Sequence, residues 1–520
     1  MSATDSDTVQ IDLDLVEQLA KEETAALDRK HARSLSYREE AKVHLPGGVS
    51  SSWQTWPPHP IYVDRGEGSR VWDIDGNEYV DFHNGYGVMV MGHAHPKIVE
   101  AVRDRVAKGT HFAQPTEDAL PVAEQLTKEE TAALDRKHAR SLSYREEAKV
   151  HLPGGVSSSW QTWPPHPIYV DRGEGSRVWD IDGNEYVDFH NGYGVMVMGH
   201  AHPKIVEAVR DRVAKGTHFA QPTEDALPVA EQLTERTGLP YWRFGNSGTE
   251  ATLDAVRIMR ASTGRDLIAK IEGTYHGHHD ALMVSVFPPE DKAGPRERPH
   301  SVPQTPGLIP GTLESVVNVP FNDLDLATKL FAERGSEIAG LIIEPVMTNC
   351  GVVLPDDGYL QGLKDLCHAH GAMFAYDEVK TGFTVAWGGA IEAFGVQPDL
   401  VAFAKALGAG LPCGAIGGTE DAMAGVISGD IDQVGTFNGN PLTMAAAKVN
   451  LTEVLTKAAY ERLDDLNVIL HRCEDVVSKY RLPASMKTLG AKGSIDWSTT
   501  PIHEYRDLWR IDDRVPQLAW

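Results

Sequence analysis

Cysteine is scarce in this chain: Cys350, Cys367, Cys413 and Cys473 are the four among 520 residues, at spacings that suit neither a zinc site nor a disulfide framework. They read as reduced thiols, and they point to a cytoplasmic protein. Basic residues are also in deficit, 49 Lys and Arg against 74 Asp and Glu, for a formal charge of −25, and they form no run. That balance argues against nucleic acid or an anionic membrane as a partner. No stretch approaches the roughly 18 uninterrupted apolar residues of a membrane span. The acidic start MSATDSDTVQIDLDLVEQ lacks the charged-then-apolar pattern of a secretory leader.

Independent sequence is shorter than the length suggests. Residues 21–127 return letter for letter as 128–234. Repeat architectures diverge between units and need about three or more of them to bury a shared face. Two unaltered copies read instead as one segment written twice. Glu-Gln-Leu recurs at 17–19, 124–126 and 231–233, the short shared string that a slipped duplication leaves at its junctions. Each copy holds 12 basic and 16 acidic residues, so a single-copy chain of 413 residues carries −21. The full sequence is 41% apolar, and 413 independent residues are enough for two or three domains.

Polar helix is expected from LDLVEQLAKEETAALDRKHARSLSYREEAK in the first copy, and to about Glu147 in the second. A Pro153-Gly154-Gly155 turn and a Trp/Pro-rich loop follow. SRVWDIDGNEYVDF (176–189) places two alternating runs around Asp182-Gly183, a hairpin signal. HPKIVEAVRDRVAKG (202–216) has the three-four spacing of an amphipathic helix. From about Tyr241 the apolar runs DLIAKIEG, IAGLIIEPV, GAMFAYDEV and DLVAFAKAL alternate with helical segments such as GYLQGLKDLCHAHG and AIEAFG. This predicts an α/β domain with a mostly parallel sheet wrapped by helices, whose ligands sit beyond the carboxyl ends of the strands. Glu344, Asp377 and Lys405 fall at or just past those ends. Beyond Asn450 the chain reads as helix, and it stops in an apolar phrase, VPQLAW.

Four segments carry chemistry. FGNSGTEATLDAVRIMRA (244–261) is a Gly/Ser/Thr turn opening a helix, where backbone N–H groups can cradle a phosphate. Ser247 and Glu250 equally match a capping box. GTYHGHHDAL (273–282) places no histidine–carboxylate pair on one helical face, so no metal is expected. Tyr275 or His276 there suits stacking on an aromatic ligand. FAYDEVKTGF (374–383) ends a strand in Asp377, which serves as a cap, as a salt-bridge partner, or as the carboxylate that keeps a ring nitrogen protonated. Val379, two residues on, would share its face in a strand. Lys405 lies in the apolar VAFAKALGAGLPCGAIGG (401–418), where desolvation favours the neutral amine that attacks carbonyls. GTFNGNPLTMAAA (435–447) offers a second anion contact at Thr436. Phosphate cradle, stacking ring, strand-end Asp and strand-end Lys together are what pyridoxal phosphate needs.

From about Tyr144 onward the chain resembles the class III pyridoxal-phosphate aminotransferases, within them the glutamate-1-semialdehyde aminomutase-like group. The motifs are PGGVSS, NSGTEAT, YHGHHD, EPV, DEVKTGF, AKALGAGLPCGAIGG and GTFNGNPL. The resemblance implies transferase fold type I: a large mostly parallel sheet domain and a small α+β domain made from both chain ends. It implies a homodimer with shared active sites, taking a small-molecule amino donor and carbonyl acceptor. It casts Lys405 as the Schiff-base lysine and Asp377 as the ring-nitrogen partner. Ser247, Gly248 and Thr249 become the phosphate cradle, with Tyr275 or His276 on one ring face and Val379 on the other. Asn349 becomes a cofactor-side contact, and Thr436 reaches the neighbouring subunit's phosphate.

The corresponding domains are an extension at 1–20, a redundant or displaced first copy at 21–127, and the second copy as the small domain's first part at 128–200. The large cofactor domain follows at 201–445, then the rest of the small domain at 446–520, cut short relative to the family. The second copy, continuous with the catalytic domain, is expected to take the place in the fold; the first is displaced or swaps into a neighbouring protomer. Trp160, Gln161 and Tyr193 are expected at the substrate pocket. Gln161 stands near the place of the aminomutase arginine that clamps a carboxylate, and an amide cannot supply that bidentate contact. This favours an aminotransferase with separate donor and acceptor. The alternatives are the aminomutase itself, which exchanges the amino group within one molecule, and a non-enzymatic chain disabled by duplication and truncation.

Overall fold

The computed structural model describes residues 13–41, 59–82, 91–100, 133–162, 166–217, 222–482, 484–498 and 500–511. The start of the extension, the 124–126 junction string, part of the Trp/Pro-rich loop and the VPQLAW tail lie outside them. The chain divides into two units, Met1–Glu130 and Thr131–Trp520, a boundary three residues past the repeat junction.

In the first unit, helices Leu13–Lys30 and Ala32–Ala41 precede an antiparallel sheet of β1 (Val63–Glu67), β2 (Arg70–Asp73) and β3 (Glu78–Val80). In the second unit the repeated sequence makes helix Ala139–Ala148 and the matching sheet β4 (Val170–Glu174), β5 (Arg177–Asp180) and β6 (Glu185–Val187). The internal bonds are repeated too. Asp75 accepts from the Arg33 N–H at 2.6 Å, and Asp182 from the Arg140 N–H at 2.6 Å. The expected polar helix is broken at His31 and at His138. Both rings are buried, and each reaches a tyrosine hydroxyl, Tyr79 at 2.7 Å and Tyr186 at 2.8 Å.

The large sheet consists of β7 (Tyr241–Gly245), β8 (Leu267–Ile271), β9 (Val316–Val319), β10 (Ile338–Ile343), β11 (Met373–Asp377), β12 (Leu400–Ala404) and β13 (Gly414–Gly418). Its order is β7-β13-β12-β11-β10-β8-β9. β12, β11, β10, β8 and β9 pair in parallel; β13 runs antiparallel to both of its neighbours. Side chains alternate between two cores, as period-two geometry requires. Leu341, Ile343, Phe374, Tyr376, Val401 and Phe403 face one core, shared with Val229 and Leu233 of helix Ala226–Thr237. Ile342, Ala375 and Ile416 face the other, shared with Val256 and Met259 of helix Gly248–Thr263. Near-continuous apolar strands such as IAGLII are therefore covered on both faces.

The helix expected from Asn450 is interrupted: helix Pro441–Val449 runs into a π turn at Asn450–Val454, and Thr456 caps a new helix, Lys457–Tyr480. Arg236 accounts for the break, donating to the carbonyls of Leu451 (2.7 Å), Leu455 (2.8 Å) and Trp387 (3.0 Å). A separate hairpin, β14 (Ser485–Leu489) and β15 (Lys492–Asp496), follows. Among the described residues no helix is long and apolar enough to cross a membrane.

Arg236→Ala leaves those three carbonyls without their donor. At about 1–3 kcal/mol for each buried group left unsatisfied, it should destabilise the fold by at least ~3 kcal/mol. Chemical unfolding checks this, and a midpoint equal to that of the parent chain would show that Arg236 does not hold this junction.

Candidate active site

Glu344, Asp377 and Lys405 stand at the carboxyl ends of β10, β11 and β12, three neighbouring strands. They line one cavity of about 860 Å³ with Ser247, Gly248, Thr249, Tyr275, His276, Asn349, Val379, Lys380, Trp160 and Tyr193. Of the residues expected at the site, Gln161 and Thr436 do not line it, and both are exposed. Asn440, not Thr436, caps the helix that follows GTFNGN, accepting from the Thr443 N–H at 3.0 Å.

The cap and the cradle turn out to be compatible. Ser247 Oγ accepts from the Glu250 N–H at 3.2 Å, while Glu250 accepts from the Asn246 N–H at 2.5 Å. Gly248 and Thr249 are the first residues of a 16-residue helix, so their N–H groups have no intrahelical acceptor and remain for an anion. A Cβ on Gly248 would lie 2.8 Å from both methyl carbons of Val379, so glycine is required there. Gly277, at φ +98°, passes so close that its Cβ would come within 2.7 Å of the Thr249 Cα.

Val379 is not in a strand. β11 ends at Asp377 and the chain turns, and the Val379 N–H donates to Asp377 Oδ1 at 2.9 Å. His276 is not free to cover a ring face. It is 1% exposed, and its Nδ1 donates to Asp377 Oδ2 at 2.7 Å, because a carboxylate can only accept. It positions the carboxylate, leaving the part-buried Tyr275 as the ring that lines the cavity. Trp160 links Tyr275 and Tyr193 with centroids 5.3 Å from each, and the Tyr193 hydroxyl donates to the Trp160 carbonyl at 2.6 Å. His278 is exposed, and His279 lies 3.2 Å from Thr252 Oγ1, its pKa pushed down to about 4, chiefly by burial. Among the described residues no cluster of three His, Cys, Asp or Glu side chains is placed to hold a metal.

Glu344 is saturated. It accepts from the Tyr275 N–H (2.9 Å), Asn349 Nδ2 (2.7 Å), the Thr348 N–H (3.2 Å) and Thr348 Oγ1 (3.0 Å). Asn349 Oδ1 in turn accepts from Lys380 Nζ at 2.6 Å. Lys380 lies within DEVKTGF, but nothing in its sequence context marks it as part of the site. Lys405 adopts φ +48°, a left-handed conformation rare outside glycine, between the end of β12 and a 3-10 turn. Burial, with help from the Lys380 ammonium, lowers its pKa from 10.5 to about 8; Asp377 and Glu344 oppose this. The residues fit pyridoxal phosphate at three points: a helix-start cradle that a Cβ would fill, an oriented carboxylate, and a desolvated amine.

The family model described as class-III aminotransferase matches residues 52–139 and 159–513. A glutamate-1-semialdehyde 2,1-aminomutase of Desulforamulus reducens is 43% identical over 324 residues, 61% of this chain and 73% of that protein. Glutamate-1-semialdehyde 2,1-aminomutase 2 of Brevibacillus brevis is 39% identical over 365 residues, 69% and 83% of the two chains. Among solved structures, an omega-transaminase from Sphaerobacter thermophilus superposes with TM-score 0.67 at 37% identity, covering 71% of this chain and 84% of that one. A glutamate-1-semialdehyde aminomutase from Pseudomonas aeruginosa, in complex with PMP, gives TM-score 0.68 at 29% identity, covering 76% and 88%.

A depressed lysine pKa leaves the amine neutral and reactive above its value and protonated below it. Pulsed reductive methylation of the cofactor-stripped chain, read by peptide mass spectrometry, should label Lys405 half-maximally near pH 8. A midpoint close to the ordinary 10.5 would remove Lys405 as a carbonyl nucleophile.

Proposed function

This chain belongs to the class-III aminotransferases, and from that premise we propose that it moves amino groups on pyridoxal phosphate bound at Lys405. One observation carries the reading: Lys405, Asp377 and an open helix N-terminus converge on a single cavity. When bound, the cofactor withdraws electrons from the carbon that bears the amino group.

The chain's own residues supply the rest. The Gly248 and Thr249 N–H groups, with Ser247, would hold the phosphate. Asp377, fixed by His276, would hold a proton on the ring nitrogen, since a carboxylate raises the pKa of a cation beside it. Val379 would pack one ring face and Tyr275 the other. Lys405, with its lowered pKa, suits shuttling a proton at the substrate carbon near neutral pH. Trp160 and Tyr193 narrow the opening and exclude water.

The relatives favour exchange within one molecule, the aminomutase reaction, over transfer between separate substrates. The second reading rests on one local feature: among the described residues no arginine lines the cavity, and Gln161 stands outside it. A homodimer in the cytoplasm belongs to the same proposal. It is supported by the loop around Thr436, where Val434 and Phe437 are 79% and 58% exposed.

Borohydride reduction of the cofactor-loaded chain should leave a pyridoxyl adduct on the Lys405 peptide, and Lys405→Ala should lose both the adduct and, by more than about 10³-fold, turnover. An adduct elsewhere, or turnover retained in the variant, would overturn the assignment. With glutamate 1-semialdehyde, the amino-shifted isomer forming without a second substrate supports the aminomutase. A strict need for a separate acceptor supports the transaminase.

A further inference from the structure

Lys380 and Lys405 line the cavity and Lys492 lies beside its wall; among the described residues neither Lys405 nor Lys492 makes a hydrogen bond or ion pair. Lys380 is held by the Thr348 carbonyl at 3.2 Å and by Asn349 Oδ1 at 2.6 Å. Lys405 has its chemical task. Lys492, the first residue of β15, makes no hydrogen bond or ion pair among the described residues.

Its position is fixed from behind. The Ala491 N–H donates to the Thr384 carbonyl at 2.8 Å, and the Gly490 carbonyl accepts from Asn467 Nδ2. A Cβ on Gly490 would lie 2.3 Å from the Val385 carbonyl oxygen, so only glycine lets the hairpin tip press against this turn. From that anchor Lys492 Nζ comes within 3.4 Å of where a Gly194 Cβ would stand. Gly194 is flanked by Gly192, Tyr193 and Val195, all of which line the cavity.

Like charges surround Lys492: Lys380 and Lys405 both lower its pKa, which burial takes down to about 8, and only Glu344 acts to raise it. Glu344 already accepts four hydrogen bonds, and Asp377 is bonded to His276. Among the described residues neither is ion-paired with Lys492. A part-buried cation among cations is unfavourable unless an anion arrives with the ligand. The helix N-terminus already provides for a phosphate, which leaves a substrate carboxylate as the missing charge.

We infer that Lys492 is a specificity-determining residue: its ammonium, beside Lys380, receives the carboxylate of an amino-acid substrate, in place of an arginine. The inference rests on the amino-transfer reading above. A lysine offers a point charge on a flexible stem, not a bidentate fork, so it grips a carboxylate without fixing its plane.

The test uses the pyridoxal-phosphate-loaded chain, with propionate as an inert carboxylate and propionamide as its neutral counterpart, followed by titration calorimetry. Lys492→Gln should weaken propionate at least tenfold while leaving propionamide and cofactor affinity unchanged, and Lys492→Arg should restore propionate. In turnover, Lys492→Gln should raise KM for a carboxylate-bearing substrate at least tenfold with kcat close to the parent value. Failure of the parent chain to bind propionate overturns the inference, as does equal propionate affinity in parent and Lys492→Gln. Parallel loss of propionate, propionamide and cofactor assigns Lys492 to the fold instead. None of these outcomes touches the Lys405 adduct, whose absence in the parent chain would sink the amino-transfer reading separately.

Discussion

Strands β10, β11 and β12 lie side by side and are covered on both faces, so along their length they tolerate little but apolar side chains. The first charged residues each can present are at its carboxyl end: Glu344, Asp377 and Lys405. Parallel pairing brings those ends to the same edge of the sheet. The constraint that keeps charge out of the core is thus the one that concentrates charge at the site. It also determines the chemistry, because groups at the lip of an apolar layer are partly desolvated. Lys405 feels this as a lowered pKa. Its left-handed backbone, at φ +48°, is strain retained where the chain leaves β12 to begin the next turn.

The carboxylates at this edge are stabilised by saturation rather than by solvent. Glu344 takes four hydrogen bonds, and Asp377 takes one from His276 and one from the Val379 N–H. A carboxylate so bonded is held in one orientation, as a partner for a protonated ring nitrogen must be. The lysines are less evenly provided for. That imbalance adds positive charge to a cavity that also holds the open end of a helix, which seeks a phosphate for a different reason. Two sources of positive potential in one cavity suit a cofactor and a substrate that each carry a negative charge.

Much of this was legible from local sequence. Runs such as IAGLII and LVAFA are strands because nothing else buries them on both sides, and each is followed at once by a residue that lines the cavity. The Asp182-Gly183 hairpin and the Pro203–Val213 helix follow from period and turn chemistry. What escaped depends on tertiary contact. β13 is GAIGG, poor in strand formers, and is a strand because Trp242 and Ser247 need its missing side chains: a Cβ on Gly417 would lie 2.3 Å from the Trp242 ring. Spacing could not choose between Tyr275 and His276 for the stacking ring, because it said nothing of Asp377, 101 residues from His276. Lys492 reaches the site from a hairpin that no motif marks.

The repeat separates local from tertiary causes within one molecule. The same sequence makes the same three-stranded sheet twice, with the same irregularity, between Val63 and Arg65 and again between Val170 and Arg172. His31 finds Tyr79 as His138 finds Tyr186. Local sequence therefore suffices for that module, wherever it stands in the chain. It does not suffice for a site. The Trp160 and Tyr193 that line the cavity belong to the second copy, which is joined through helix Pro203–Val213 to the domain bearing Lys405. In the second copy connectivity lets the segments on either side of the sheet, not the sheet itself, contribute to the wall of a binding site.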